Sequence, residues 1–426
     1  MSVASDPAAT RALFRKALAA QPGVLAGSPI GLSVSGGGDS IALMHLAARE
    51  CGAAAFHAIT IDHGLRSEAA DEIALVAKQA QALGIPHSVV RWEWDGTGNL
   101  QAAARDGRWG AIRAWALTYN IKSVWLGHTE DDQLETALMR LARGSGIDGL
   151  TAMARTTQRD GLTLFRPLLR IGRTDLREWL RAEGIAWADD PSNEDPRFDR
   201  VRARQMFAQL ETLGLTRKRL LQTVDHMQAA HLSLQRVARE FARVHVKQDT
   251  GDLIFAPAAL DMEHEDAPRR VMAAGFGWVG SRTYRPRFEQ LLDVVAKARK
   301  GQIVTLGGCI MSPESGGRVR LAREAAATQV VRRQMTDVAD ATGVFWDTRW
   351  FLEGPLDPDL SFKALGEGIK QCPDWRDSGT PRKSLLASPS VWRGDNLIAA
   401  PLAGLSNGWS ARIVADFHSS AFAIED

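Results

Sequence analysis

The stretch SGGGDS, residues 35–40, sets three glycines between two serines and puts an acid ahead of the second. Glycine lets a backbone take left-handed angles and approach a ligand closely. A helix beginning just after such a loop offers unpaired N–H groups and the positive end of its dipole, both suited to phosphate. Ser35 and Ser40 can add hydroxyl donors. A GxxxxGK[ST] loop would place a lysine on the β- and γ-phosphates, where terminal phosphoryl transfer occurs. No lysine follows Ser40. The loop is therefore suited to holding the two outer phosphates as a departing pyrophosphate, with attack at the α-phosphorus. Spacing alone does not decide this.

The elements around the loop form an alternation. Strand candidates cover 30–35, 55–62, 87–94 and 123–128, and helix candidates cover 39–51, 68–83, 100–119 and 131–143. Strands separated by helices of that length predict an α/β domain, a parallel sheet wound on both faces. Ligands of such sheets bind at the carboxyl ends of the strands. Residues 35–40, 62–66 and 128–132 all fall at those ends.

Near 189–200 the pattern breaks into a loop rich in Pro, Asp and Asn, and a helical stretch follows. Leu220, Val224, Met227, His231, Leu234, Ala238 and Phe241 step by four and three along one helix face. Residues 197–247 hold eleven Lys/Arg against four Asp/Glu, a local net of +7. That is either a solvated face or a footprint for a polyanion. Further on, 267–280 and 287–301 read as helices; 302–312, 317–324, 397–404 and 411–417 read as strands; and 323–329 reads as a linker. The expected division is 1–215 as the nucleotide-binding catalytic domain, 216–328 as a helical linker with a middle domain, and 329–426 as a small α+β domain.

Composition narrows the class. The chain has 426 residues, 45% hydrophobic and 24% charged, with a net charge of +2. That is ordinary globular usage, enough for two or three cores. Cys51, Cys309 and Cys372 form no CxxC, which leaves no zinc ribbon or thioredoxin-like pair. No signal-peptide core and no apolar run of membrane-spanning length occurs, so the expectation is a soluble cytoplasmic protein without a membrane partner.

SGGGDS resembles the SGGxDS signature of the PP-loop ATP pyrophosphatases. IDHGLR (61–66), NLQAAARDGRWGAI (99–112), GHTEDDQLETALMRLARGSGIDGL (127–150), RPLL (166–169) and DDPSNEDPRFDRVRAR (189–204) narrow the resemblance to the tRNA(Ile)-lysidine synthase family. TLGG (305–308), VRLARE (319–324) and TPRKSLLASPSVWRGDNLIAAPLAG (380–404) extend it thinly. The family implies a ligase. It uses ATP to adenylate the C2 oxygen of cytidine-34 in the CAU anticodon of tRNA(Ile). Free L-lysine then displaces AMP. The resemblance assigns ATP binding to Ser35, Gly36, Gly37, Gly38, Asp39, Ser40, Asp62 and His63. It assigns catalysis to Asp39, Arg105, His128, Asp131, Asp132 and Arg143, and Mg²⁺ to Asp39 and Asp132. Arg108, Glu135 and Thr136 belong to the same motifs, while Gln101 and Trp109 stand where the family often has glutamate and tyrosine. Asp132 and Asp190 are candidates for holding lysine, and Arg217, Lys218 and Arg219 for contacting tRNA. Each has a plainer reading: acids at a helix N-terminus complement its dipole, and arginines solvate a surface.

Two other readings stay open at this stage. One is another PP-loop tRNA-modifying enzyme such as a 2-thiocytidine synthase, which would need cysteine pairs. The other is a non-catalytic tRNA-binding relative, which would not need SGGGDS and EDDQLET intact. The oligomeric state is left open, a homodimer included.

Overall fold

The computed structural model describes residues 7–25, 29–62, 69–92, 100–159, 161–189, 199–281, 286–328, 331–332, 343–414 and 416–422. The chain divides into two compact units, Met1–His231 with Glu425–Asp426, and Leu232–Ile424.

The first unit opens with α1 (Pro7–Ala19) and then alternates. The order is β1 (Ile30–Ser33), α2 (Gly38–Cys51), β2 (Phe56–Asp62), α3 (Ala69–Leu83), β3 (His87–Arg91), α4 (Leu100–Thr118), β4 (Ser123–Leu126) and α5 (Glu130–Ala142). These bounds lie within a few residues of the expected ones. The sequence reading names no element between 143 and 189. The structure has four there: a short helix α6 (Ile147–Leu150), the hairpin β5 (Thr156–Arg159) and β6 (Leu162–Phe165), and α7 (Arg173–Ala182). Helix α8 (Asp199–Thr212) follows.

The sheet order is β3-β2-β1-β4-β6-β5. Strands β3, β2, β1, β4 and β6 are parallel, and β5 runs antiparallel beside β6. Leu32 at the centre pairs with Ala58 on one side and Trp125 on the other. Successive strand residues face opposite sides of a sheet, and both sides here are covered. Trp125 and Phe165 join Phe14, Leu43, Val76 and Trp179 in one core. Their neighbours Val124 and Leu164 join Ile59, Ile112 and Trp115 in the other. Covered faces explain why these strands read as continuous apolar runs rather than alternating ones. The chain moves outward from β1 in both directions, so the gap between the ends of β1 and β4 is a topological switch point, where doubly wound sheets hold ligands.

Helix α9 (Arg217–His245) carries the boundary between the units. On its expected face, Leu220, Val224 and Ala238 are buried, and Met227, His231, Leu234 and Phe241 are partly so. Leu220 and Val224 pack with Leu134 and Ala137 of α5 and Phe207 of α8.

The second unit is built on antiparallel sheets. One has the order β7-β8-β11-β10-β9, from β7 (Val246–Asp249), β8 (Asp252–Phe255), β9 (Val304–Leu306), β10 (Cys309–Pro313) and β11 (Val319–Arg323). Helices α10 (Asp266–Gly280) and α11 (Phe288–Arg299) pack on its core. Two smaller sheets follow, β12-β15-β16-β17 and β13-β14-β18. They comprise β12 (Val331–Arg332), β13 (Gly343–Trp346), β14 (Trp350–Glu353), β15 (Leu360–Ala364), β16 (Pro389–Arg393), β17 (Asn396–Ala399) and β18 (Ser410–Ile413). The expected linker at 323–329 begins with Arg323, which is buried and held by Asp347 at 2.9 Å. Among the described residues, no helix is long and apolar enough to cross a membrane.

Candidate active site

The glycines of the loop do three different things. Gly36 has φ +89, a left-handed angle that favours glycine, and an added Cβ would lie 3.2 Å from Cβ of Glu72. Gly38 opens α2 against Trp187, whose Cδ1 would be 3.3 Å from a Cβ. Gly37, the N-cap of α2, has an ordinary extended backbone (φ −68, ψ 154). A Cβ there would meet nothing nearer than Oγ of Ser35 at 3.7 Å. The fold itself asks for glycine at 36 and 38. At 37 the missing side chain leaves open space at a helix N-terminus.

The two serines brace the loop. Ser40 Oγ donates to the carbonyl of Gly37 at 2.9 Å and accepts the N–H of Ser35 at 3.1 Å. The two hydroxyl oxygens lie 3.2 Å apart. Gly127, just beyond β4, lets that strand end meet the first turn of α2. A Cβ on it would sit 3.1 Å from Cα of Ser40. Sequence reasoning quotes Gly127 inside its motif without giving it this role.

Beyond Gly127, Thr129 caps α5. One carboxylate oxygen of Asp132, Oδ2, accepts both the N–H of Thr129 (2.8 Å) and its hydroxyl (3.1 Å). The other, Oδ1, lies 3.5 Å from Nη2 of Arg173 and 3.6 Å from Nη1 of Arg200. Arg173 is the residue that sequence reasoning missed. Its Nε donates to Oδ2 of Asp39 at 2.9 Å, and its Nη1 lies 3.8 Å from Glu135. Its backbone N–H donates to Oδ2 of Asp131 at 2.7 Å. The other oxygen of Asp131 accepts from Arg217 at 3.0 Å. Asp39 thus meets Asp132 through one guanidinium whose side chain is only 21% exposed, while the backbone of the same residue holds Asp131.

These contacts tune the charges. Burial pushes the Asp39 carboxyl above the usual carboxylate range; Arg173 opposes this, and Asp132 and Asp131 add to it. Burial works against Asp131 too, but the Arg173 amide and Arg217 outweigh it and hold that carboxyl below its usual range. Arg173 loses hydration, yet Asp39 and Asp132 more than compensate and fix its charge. Burial drives His128 down to about 4, with Asp132 resisting and Arg166, Arg200 and Arg108 assisting, so the ring is neutral at pH 7. Its Nδ1 is buried without a hydrogen-bond partner among the described residues. Glu135, 4% exposed, accepts at Oε1 from Arg204 at 2.8 Å, and its Oε2 has no partner among the described residues. Burial raises its carboxyl.

Ser35, Gly36, Gly37, Gly38, Asp39, Ser40, His128, Asp131 and Asp132 therefore share the switch point between β1 and β4. Asp62 ends β2, the neighbouring strand. His63 and Asp190 lie outside the described residues. Arg105 is on α4, its side chain outside the described ones. Arg143 follows the last turn of α5, about 18 Å along the helix axis from Asp131 by helix rise, and it pairs with Asp199 at 3.2 Å. Arg217 turns inward to Asp131 and Glu130, whereas Lys218 and Arg219 are exposed. Among the described residues no group of three His, Cys, Asp or Glu could hold a metal ion. Asp39 and Asp132, two carboxylates on one cation, fit an ion that takes most of its ligands from phosphate and water, as Mg²⁺ does.

Residues 11–211 match the family model described as ATP_bind_3, a PP-loop domain. The tRNA(Ile)-lysidine synthase of Ruegeria pomeroyi is 45% identical over 399 residues, covering 92% of this chain and 93% of that protein. The protein of the same name from Anaplasma marginale is 30% identical over 336 residues, 76% of this chain and 70% of its own. The one from Rhodopseudomonas palustris is 46% identical over 48% of this chain and 60% of its own. Among solved structures, the U34-tRNA thiolase NcsA of Methanococcus maripaludis aligns with a TM-score of 0.44 at 16% identity, over 52% of this chain and 78% of that one.

Proposed function

This chain belongs to the tRNA(Ile)-lysidine synthase family, and from that premise we propose that it joins L-lysine to C2 of cytidine-34 in a CAU anticodon through an adenylated tRNA. ATP is the nucleotide of the family's PP-loop domain. The observation that carries the reading is Gly37, a helix N-cap whose absent side chain serves no contact within the protein. Main-chain amides there suit the β- and γ-phosphates, with the adenosine toward Asp62 and His63. The base oxygen then attacks the α-phosphorus, and diphosphate leaves. Asp39 and Asp132 would hold Mg²⁺, which, when bound, neutralises charge on the phosphates. Arg105 is a candidate for the charge developing on the α-phosphate. Arg143, just past the end of α5, is spent on Asp199.

The lysine amine needs a buried acceptor, and the unpartnered Oε2 of Glu135 offers one beside Asp132. The amine must also lose a proton before it attacks. Burial keeps the His128 ring neutral, and its unpartnered Nδ1 is available for a hydrogen bond to an incoming group. For tRNA we assign the middle and last parts, 216–328 and 329–426, with 1–215 carrying the chemistry, in the cytoplasm. Sulfur transfer is disfavoured by the thiol nearest the loop in sequence. Cys51 closes α2, about 20 Å by helix rise from Gly38, and burial pushes it up to about 11.

The test is incorporation of labelled lysine into a tRNA(Ile) transcript with ATP, following the nucleotide products. AMP and diphosphate with label in the tRNA are expected. ADP and orthophosphate, or tRNA binding without label, would overturn the reading.

A further inference from the structure

We propose that Arg173 is the site's built-in counter-cation, a positioning residue that occupies Asp39 and Asp132 until a nucleotide brings a divalent ion to them. The inference rests on the nucleotide reading above and deepens it. Arg173 begins α7, directly after the N-cap Gly172. A cation at a helix N-terminus opposes the dipole, so its own helix does not account for its place. What accounts for it lies opposite. The guanidinium is 2.9 Å from Asp39 and 3.5 Å from Asp132, and it reaches toward Glu135 at 3.8 Å. The backbone N–H of the same residue grips Asp131 at 2.7 Å.

Asp39 and Asp132 are also the two carboxylates suited to the metal. A guanidinium and a divalent ion repel, so they compete for contact with that pair. An arriving nucleotide changes the balance, because its outer phosphates give a guanidinium a new bidentate partner. Arg173 then moves to phosphate through its side chain alone, while its backbone stays on Asp131. The acids are freed for the ion that comes with the nucleotide. A bare divalent ion, which brings Arg173 no new partner, is kept out.

Mn²⁺ is the probe, its free fraction read by electron paramagnetic resonance on the full chain without tRNA or lysine. Wild type is expected to bind Mn²⁺ weakly alone and tightly with α,β-methylene-ATP. Arg173→Gln keeps donors but loses the charge. It should bind Mn²⁺ without nucleotide at least about tenfold more tightly than wild type, the factor by which a lost neighbouring cation shifts a carboxylate. Arg173→Lys should restore exclusion. Tight nucleotide-free binding by wild type, or equal binding by wild type and Arg173→Gln, would overturn the proposal. The wild-type comparison holds even if the Gln variant fails to fold. Because lysine transfer is not measured, failure of the reaction reading and failure of this one are separate results.

Discussion

Replacing Gly37 with alanine separates a ligand cradle from a mere turn. The backbone at 37 already has angles open to any residue, and the new methyl would have 3.7 Å to its nearest neighbour. The folded state needs no adjustment. Losing glycine at an N-cap costs up to about 1 kcal/mol, while stiffening the unfolded chain returns about 0.4–1 kcal/mol. Stability should therefore stay within about 1 kcal/mol, or about 2–4 °C in Tm for a unit of this size. The nucleotide should feel the change strongly. A methyl between the loop and a phosphate removes one charge-assisted N–H contact, worth about 1.5–3 kcal/mol, or roughly tenfold to a hundredfold in ATP affinity. Gly36→Ala is the contrast, since its left-handed angle and the Glu72 contact make the damage structural. Thermal melts and ATP titration by calorimetry decide between them. If Gly37→Ala binds ATP like wild type, the open space at 37 is not where the phosphates lie.

Three further outcomes follow from the same geometry. Asp132→Asn and Asp132→Ala should both lose turnover, but Asn still accepts from Thr129 and should melt near wild type. Ala gives up the cap at about 1 kcal/mol, read as a lower Tm. Burial depresses the pKa of His57 on β2, so the ring stays neutral when folded and charges more readily when unfolded. The urea midpoint should fall as pH drops through and below 6.5, and His57→Gln should flatten that slope; an unchanged slope refutes the assignment. Neutralising Lys218 and Arg219 should reduce the salt dependence of tRNA binding by about 1.4–1.8 in log–log slope. Arg217→Gln should instead slow adenylation, because its charge is spent on Asp131 and Glu130. Filter binding across a salt series, beside AMP release, separates the two.

Much of the first unit was legible because period and position agree there. Buried β1 and β4 read as apolar runs, and the residues beyond their ends converge at the switch point as an α/β pattern requires. The region after α5 was opaque. Strands β5 and β6 are four residues each, with half-buried threonines and an exposed glutamine, too short for alternation to show. Helix α7 hides its start, since Gly172 caps it without a side chain and Arg173 is an unfavourable first residue. That mismatch was itself a signal, since a cation in a helix's first turn gains nothing from its own helix. Arg217 stands apart from the run it belongs to. A basic run looks uniform in sequence, but one member faces the core cluster of α5, α8 and α9 while its two neighbours face water.

The plain and functional readings of the acids turn out not to compete. Asp39 lies in the first turn of α2, and Asp131 and Asp132 in that of α5, where each complements a helix dipole. Those helix starts also flank the switch point, so a carboxylate placed to steady a helix is already placed beside the glycine loop proposed to hold the phosphates. Asp132 shows the division within one side chain, with Oδ2 bound into the cap and Oδ1 turned to Arg173 and Arg200. Anchoring one oxygen fixes the direction of the other, which is how a short side chain can hold catalytic geometry without a dedicated scaffold. Each such acid nevertheless adds negative charge where the proposed reading brings a polyanionic nucleotide. The arginines around them make that tolerable, and Arg173, reaching Asp39, Asp132 and Glu135 from α7, links helix starts that the sheet alone only brings near one another.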